Sequence, residues 1–415
     1  MSKHKQVLFM SLFTGYLTLV YIRQSVSFAA PVIAETEHLK NSDLGLIVSS
    51  QQLGYTFIKF VGGALADILN PGLTFTACLL LTGLTCAAFT AVSSVTYFVI
   101  LWFLCGMAQG PAWSACAVLL KQNFPADQFA TWWSILSTSA NVAGTAGPFI
   151  SQFIVSYTSW RMSLLLAATM SIGLGVVFFL FVHNSTEEHL VEESERKDKA
   201  KSFNIKALAN PLLMAMCVNY LLVSVIRGAC NDWGQMYLIK NKGQSLLAGS
   251  SFISSQEIGG IVGSLLTGYL SDFLITKGTK NAKSRLKIVV FLTILQSAGL
   301  YCFIFYTSPE SSQFWTNIFG FCVGFGMYSS ISLLGVSSME TAPPNLSGTA
   351  HTLVTLGGNC GRVLAGYPLS AVATWMSWHE SFILVLLASC VSIGTSVLCV
   401  RLVPERESDI EEKTD

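Results

Sequence analysis

The sequence predicts an all-α membrane protein, with twelve transmembrane helices in two pseudo-symmetric six-helix bundles. Three observations carry that prediction: too few charges for a soluble surface, apolar runs of membrane length, and an internal duplication. Charged residues are 11% of the 415-residue chain and apolar residues 52%, with mean hydropathy +0.56. Soluble globular proteins carry roughly 25% charged residues, so 24 Lys+Arg and 23 Asp+Glu cannot cover a surface of this size. A lipid bilayer must take the place of water around most of the chain. The net charge of +1 argues against nucleic acid as a partner. The 11 Cys show no C-x-x-C spacing, so neither a disulfide framework nor a metal site is indicated, and no cofactor motif is present.

A helix needs about 20 apolar residues to cross a hydrocarbon core. Runs of that length lie near Val7–Ala30, Leu44–Ala66, Leu73–Val92, Val95–Leu120, Ala130–Tyr157 and Met162–Val182. Six more follow near Pro211–Ile239, Leu246–Phe273, Leu286–Tyr306, Ser312–Val336, Gly348–Thr374 and Ser381–Leu402. The first run is too long for a cleaved signal peptide and lacks an Ala-x-Ala site, so it reads as a retained helix. Between the sixes, Asn184–Lys206 carries eleven charges of both signs and little apolar content, the signature of a solvated linker. The chain therefore divides into an N-terminal bundle (1–183), a charged linker (184–206), a C-terminal bundle (207–403) and a tail (404–415).

An even number of spans puts both termini on one side. Sixteen Lys and Arg fall there with the linker, against Lys40, Arg161, Lys240 and Lys242 opposite. The positive-inside rule then places termini and linker in the cytosol. The four remaining cations, Arg23, Lys59, Arg227 and Arg362, fall inside spans.

The duplication is read by laying Ser49–Leu69 over Ser254–Leu274 at an offset of 205, where eight of 21 positions agree. A second register, offset 218, brings together Pro125 and Pro343, Thr131 and Thr349, Asn141 and Asn359, and Ser159-Trp160 and Ser377-Trp378. The longer basic loop around Lys277–Arg285 accounts for the change of offset. Two repeats with a site between them at mid-bilayer is a transporter architecture. At offset 205 Arg23 falls one residue from Arg227, so each half supplies one arginine from its first helix. Lys59 faces Ser264 and Glu257 faces Gln52, so these charges mark where the site departs from symmetry.

A charge at the bilayer centre costs about 2.5 kcal/mol or more, so these residues ask for a reason. The planar forks of Arg23 and Arg227 match phosphate oxygens bidentately, and Lys59 adds a point charge. The bland alternative is that each cation snorkels or pairs with a carboxylate. Helical spacing supplies further cavity groups: Tyr55 one turn before Lys59, Gln109 and Trp113 on the fourth helix, Asn231 and Asp232 after Arg227, and His351 and Asn359 on the eleventh. Asn141 is the counterpart of Asn359. Amides, hydroxyls and an aromatic face can hold a sugar, and can equally tie helices to one another. His351 reads as a structural histidine. Glu257 reads first as a counter-ion to Arg227, then as a proton carrier or a hydroxyl acceptor. Arg362 reads equally as a packing group. Asp67 and Asp272 close a G-x-L-x-D pattern at equivalent helix ends, a gating position. No nucleophile–base pair occupies the spans, so an enzyme is the least supported class.

With these residues aligned, the chain resembles the organophosphate:phosphate antiporters of the major facilitator superfamily, and within them the glucose-6-phosphate translocases of the endoplasmic reticulum. The resemblance runs over nearly the whole chain. Its most specific stretches are WFLCGMAQG (102–110), FATWWSILSTSANVAG (129–144), DWGQ (232–235), KGQSLLAGSSFISSQEIGGIVGS (242–264) and APPNLSGTAH (342–351). It implies the major facilitator fold, and exchange of a hexose phosphate for inorganic phosphate by alternating access. It assigns phosphate binding to Arg23, Arg227 and Lys59 and aligns the family's eighth-helix glutamate with Glu257, while its fifth-helix histidine falls on Ala140. It also implies an endoplasmic reticulum membrane and coupling to a lumenal sugar phosphatase, although Glu411 and Glu412 stand where the family's dilysine tail would need lysine. Exchange of another organophosphate such as glycerol 3-phosphate, proton-coupled symport, and non-transporting sugar-phosphate sensing are the competing readings.

Overall fold

In the computed structural model the described residues are 3–65, 70–124, 129–185, 210–276, 282–341 and 347–403. They form fifteen α-helices. In the first half these are α1 (Lys3–Thr36), α2 (Asn41–Leu65), α3 (Pro71–Thr90), α4 (Val95–Gln109), α5 (Ala112–Asn123), α6 (Phe129–Tyr157) and α7 (Trp160–Ser185). The second half holds α8 (Pro211–Gly228), α9 (Gly234–Lys240), α10 (Leu246–Thr276), α11 (Ala282–Tyr306), α12 (Gln313–Thr341), α13 (Ser347–Ala365), α14 (Tyr367–Trp375) and α15 (Trp378–Leu402). Three pairs of helices, α4–α5, α8–α9 and α13–α14, each make one span, which gives twelve.

The sequence expects each of those three runs to be continuous, and each is interrupted for a local reason. Pro111 has no N–H to donate, so the helix restarts there after Gly110. Residues Ala229–Trp233 form a π-helical turn between α8 and α9, the kind of irregularity found at functional sites. Gly366 adopts φ −79°, ψ −105° and ends α13. Elsewhere sequence signals set the ends: Asn70 and Asn210, each followed by proline, accept hydrogen bonds from the first-turn amides of α3 and α8.

Among the described residues, eight segments are apolar and long enough to cross a membrane by composition alone, including Pro71–Thr90, Lys283–Tyr306 and Trp378–Leu402. The spans α2, α6, α10 and α13–α14 fall outside that set, and they are the ones that carry Lys59, Asn141, Glu257 and Asn359. Large apolar side chains such as Leu81, Val177, Leu265 and Phe291 are exposed on the helices, as a lipid-facing surface requires.

The duplication is visible in the packing. A Cβ on Gly54 would strike the Phe103 carbonyl, and one on Gly259 the Phe321 carbonyl. Gly106 meets the Gln51 carbonyl in the same way that Gly324 meets Gln256. These pairs obey the 205 and 218 offsets together, so α2 lies against α4 as α10 lies against α12.

The halves touch through α1 with α9 and the π turn, α2 with α13 and α14, and α6 with α10. Hydrogen bonds between them among the described residues include Ser27 to Asp232, Asn41 to the Ala373 carbonyl, the Ser42 amide to Thr374, Ser49 to the Val363 carbonyl, the Tyr367 amide to Ser49, and Ser254 to the Thr145 carbonyl. All lie from mid-span outward on the side away from the termini. Among the described residues, this conformation is closed on that far side.

Candidate functional site

Arg23 occupies the middle of α1. Its Nε donates to Gln109 Oε1 at 3.0 Å, and its guanidinium lies 4.3 Å from the centre of the Tyr55 ring. Gln109 in turn reaches Cys105. No carboxylate among the described residues pairs with Arg23, and its direct partners Gln109 and Tyr55 are neutral. Trp113 stands beyond the Pro111 interruption, its ring 4.7 Å from Tyr16 and 4.3 Å from Trp133.

Arg227, near the end of α8, lies 4.5 Å from the centre of the Tyr328 ring. The Tyr328 hydroxyl donates to Glu257, and Asn231 Nδ2 donates to Glu257 Oε1 and to the Tyr328 oxygen, each at 3.2 Å. Glu257 is 2% exposed and packs against the α6 backbone, where a Cβ on Gly144 would meet its carboxyl carbon at 2.6 Å. The expected direct pairing of Glu257 with Arg227 is not made. Tyr328 joins the two, because its ring faces the cation while its hydroxyl reaches the carboxylate.

The two arginine environments are related by an exchange. At offset 205 the counterpart of Tyr55 is Gly260, and at offset 218 the counterpart of Tyr328 is Gly110. A Cβ on Gly260 would run into the Tyr328 ring, and one on Gly110 into Ile58. Each arginine thus rests on one aromatic face, supplied by the second span in the first half and the tenth span in the other. Cation–π contact of this kind is worth about 0.5–2 kcal/mol.

Between the halves lies a small cavity bordered by Arg23, Ser27, Gln51, Gln52, Asp232 and Arg362 among others. Asp232, in the π turn, is 4% exposed. Its Oδ1 accepts from Ser27 at 3.0 Å, and its Oδ2 stands 3.2 Å from Arg362 Nη2. Arg362 therefore reaches the same cavity as Arg23, while Arg227 sits with Glu257 to one side.

A twelve-span bundle with repeated halves, half-buried cations within the spans and one end closed is the geometry of a transporter. The sequence matches the Major Facilitator Superfamily over residues 12–366. The chain belongs to that superfamily. A probable hexose phosphate transport protein of Chlamydia pneumoniae is 30% identical, the match covering 93% of this chain and 89% of that one. The membrane sensor protein UhpC of Escherichia coli is 26% identical over 92% of this chain and 89% of its own length. Among solved structures, a bacterial homologue of the human lysosomal transporter Spinster superposes with a TM-score of 0.77, at 12% identity, over 97% of this chain and 98% of that one. It shares the fold. The protein is an integral membrane protein of a transporter superfamily.

Of the residues named from sequence, Arg23, Tyr55 and Gln109 form one network, Arg227, Asn231 and Glu257 a second through Tyr328, and Asp232 and Arg362 a third with Ser27. Asn141 and Asn359 are half-buried. His351 Nδ1 lies 3.3 Å from the Gly335 carbonyl, a contact between helices. The side chains of Lys59 and Asp272, and all of Asp67, lie outside the described residues, as do most of the linker and the tail. Sequence reasoning missed Tyr328 and Ser27. The signal for Tyr328 was its pairing with glycine in the repeat alignment.

Proposed function

We propose that the protein exchanges a hexose phosphate, glucose 6-phosphate first, for inorganic phosphate by alternating access of its two halves. The observation that carries this reading is the Arg23 guanidinium, half-buried at an inter-half cavity and, among the described residues, held by neutral partners with no carboxylate paired to it. Closing the halves around an uncompensated cation carries a desolvation penalty of several kcal/mol. A phosphate group, free or sugar-linked, offsets that penalty and permits the closed state to form, whereas an empty cavity does not. A ligand moves such an equilibrium only through its differential affinity for the two states.

In this reading Arg23, Arg227 and Lys59 hold the phosphate. Tyr55, Gln109, Trp113, Asn141, Asn231, Asp232, Glu257, His351 and Asn359 line the sugar side, and Asp67 and Asp272 act in gating. The likeness to the probable hexose phosphate transport protein of Chlamydia pneumoniae, and to a glycerol-3-phosphate transporter of Bacillus subtilis at 24% identity, supports an organophosphate substrate. The excess of Lys and Arg on their side supports cytosolic termini. The endoplasmic reticulum and a lumenal sugar phosphatase as partner rest on the sequence resemblance alone, and the relatives compared are bacterial. Proteoliposomes loaded with phosphate should take up labelled glucose 6-phosphate, and unloaded ones should not. Equal uptake in both refutes obligatory exchange.

A second reading is favoured by the match to sensor proteins. In this reading the protein binds a sugar phosphate and signals without moving it. Saturable binding in detergent with no flux in loaded vesicles identifies that case.

A further inference from the structure

The Asp232–Arg362 pair is the part of the cavity to which the repeat and the sequence resemblance give no role. Arg362 Nη2 engages Asp232 at 3.2 and 3.5 Å. Its Nη1 is buried and finds no acceptor among the described residues, and neither does Gln51 Nε2 in the same cavity wall. Asp232 has a second donor in Ser27 on the opposite half, so its carboxylate keeps a hydrogen bond if Arg362 turns away. The cavity thus brings together two guanidinium groups, Arg23 and Arg362, with one carboxylate between the halves.

We infer that Arg362 is a third anion-binding group of the transport cavity, and that Asp232 is a resident carboxylate which occupies it until phosphate arrives. The inference deepens the proposed function and rests on it. A phosphate monoester carries about −1.5 to −2 charges, against one for a carboxylate, and presents oxygens to both terminal nitrogens of a guanidinium fork. It supplies the unused Nη1 with an acceptor and takes over Nη2, while Ser27 retains Asp232. The exchange replaces one anion by another, so the cavity never holds three bare charges. Asp232 is then a positioning residue that acts through Arg362. The alternative is a plain structural strut between the π turn and α13, in which neither partner senses ligand.

The test measures equilibrium binding of radiolabelled inorganic phosphate to the purified full-length protein in detergent. It compares the wild type with Asp232→Asn, Arg362→Gln, Arg362→Lys and the double variant Asp232→Asn/Arg362→Gln. Removing the competitor should tighten phosphate binding about tenfold in Asp232→Asn, a gain that misfolding cannot mimic. Arg362→Gln should weaken binding at least tenfold, and Arg362→Lys should restore part of the loss. In the Arg362→Gln background, Asp232→Asn should change affinity less than twofold, because its effect passes through the missing guanidinium. Weaker or unchanged binding in Asp232→Asn overturns the inference, and so does equal tightening in both backgrounds. A wild-type protein that binds no phosphate overturns the proposed function and this inference together, whereas phosphate binding without the stated pattern overturns the inference alone.

Discussion

Arg23→Lys separates charge from geometry at the site. Lysine keeps the positive charge on α1 but cannot reproduce the fork. In the structure Arg23 spends Nε on Gln109 at 3.0 Å and places its guanidinium 4.3 Å from the centre of the Tyr55 ring, and the fork carries a pair of terminal nitrogens besides Nε. Lysine offers one nitrogen in place of that pair. A hydrogen bond to a charged group is worth about 1.5–3 kcal/mol, and each 1.4 kcal/mol is tenfold in affinity. Loss of one such bond to a phosphate oxygen therefore predicts roughly ten- to hundredfold weaker half-saturation of phosphate exchange in proteoliposomes. Gln109→Leu is the control: it removes the Nε tether while retaining the fork, and should cost about tenfold or less. Normal half-saturation in Arg23→Lys refutes bidentate recognition at this residue. Equal losses in Arg23→Lys and Gln109→Leu would show that the tether, and not the fork, sets affinity.

Other expectations follow from the same geometry. Tyr328→Phe retains the ring over Arg227 but removes the Glu257 donor, and should alter the pH profile of exchange more than its phosphate affinity; identical profiles would remove Tyr328 from the link between the two charges. A cysteine pair at Ser42 and Thr374, where amide and hydroxyl are 2.9 Å apart, should cross-link across the halves and abolish exchange reversibly, and continued exchange after complete cross-linking would exclude far-side opening there. Asn219→Leu removes the 2.8 Å bond to Ser396 between α8 and α15, and thermal unfolding in detergent should show a loss of about 0.6–1.7 kcal/mol, the range of interhelical hydrogen bonds in membranes. Gly259→Val presses a side chain onto the Phe321 carbonyl, and should lower the melting temperature through about 1–3 kcal/mol of overpacking.

Much of the architecture was legible along the chain. Span count and the repeat follow from quantities that sum locally: apolar length, charge clustering and identity at a fixed offset. Arg23 and Arg227 stood out because a cation in a twenty-residue apolar run has no local explanation. Three features were not legible. The helix interruptions at Pro111 and Gly366 look, by hydropathy, like continuous spans. The partner of Arg227 could not be read either, since Tyr328 lies about a hundred residues away and differs from its counterpart, Gly110, in the first half.

The amino-acid sequence by itself determined that this protein crosses a membrane in two related halves with cations buried in each, because bilayer thickness and the expense of burying charge act on any segment regardless of its neighbours. Tertiary structure alone decided how those cations are partnered: Arg23 with Gln109 and Tyr55, Arg227 with Tyr328, and Arg362 with Asp232 across the wall of the shared cavity. Helix rotation and close approach at glycine set which side chains meet, and both depend on the packing of all spans at once.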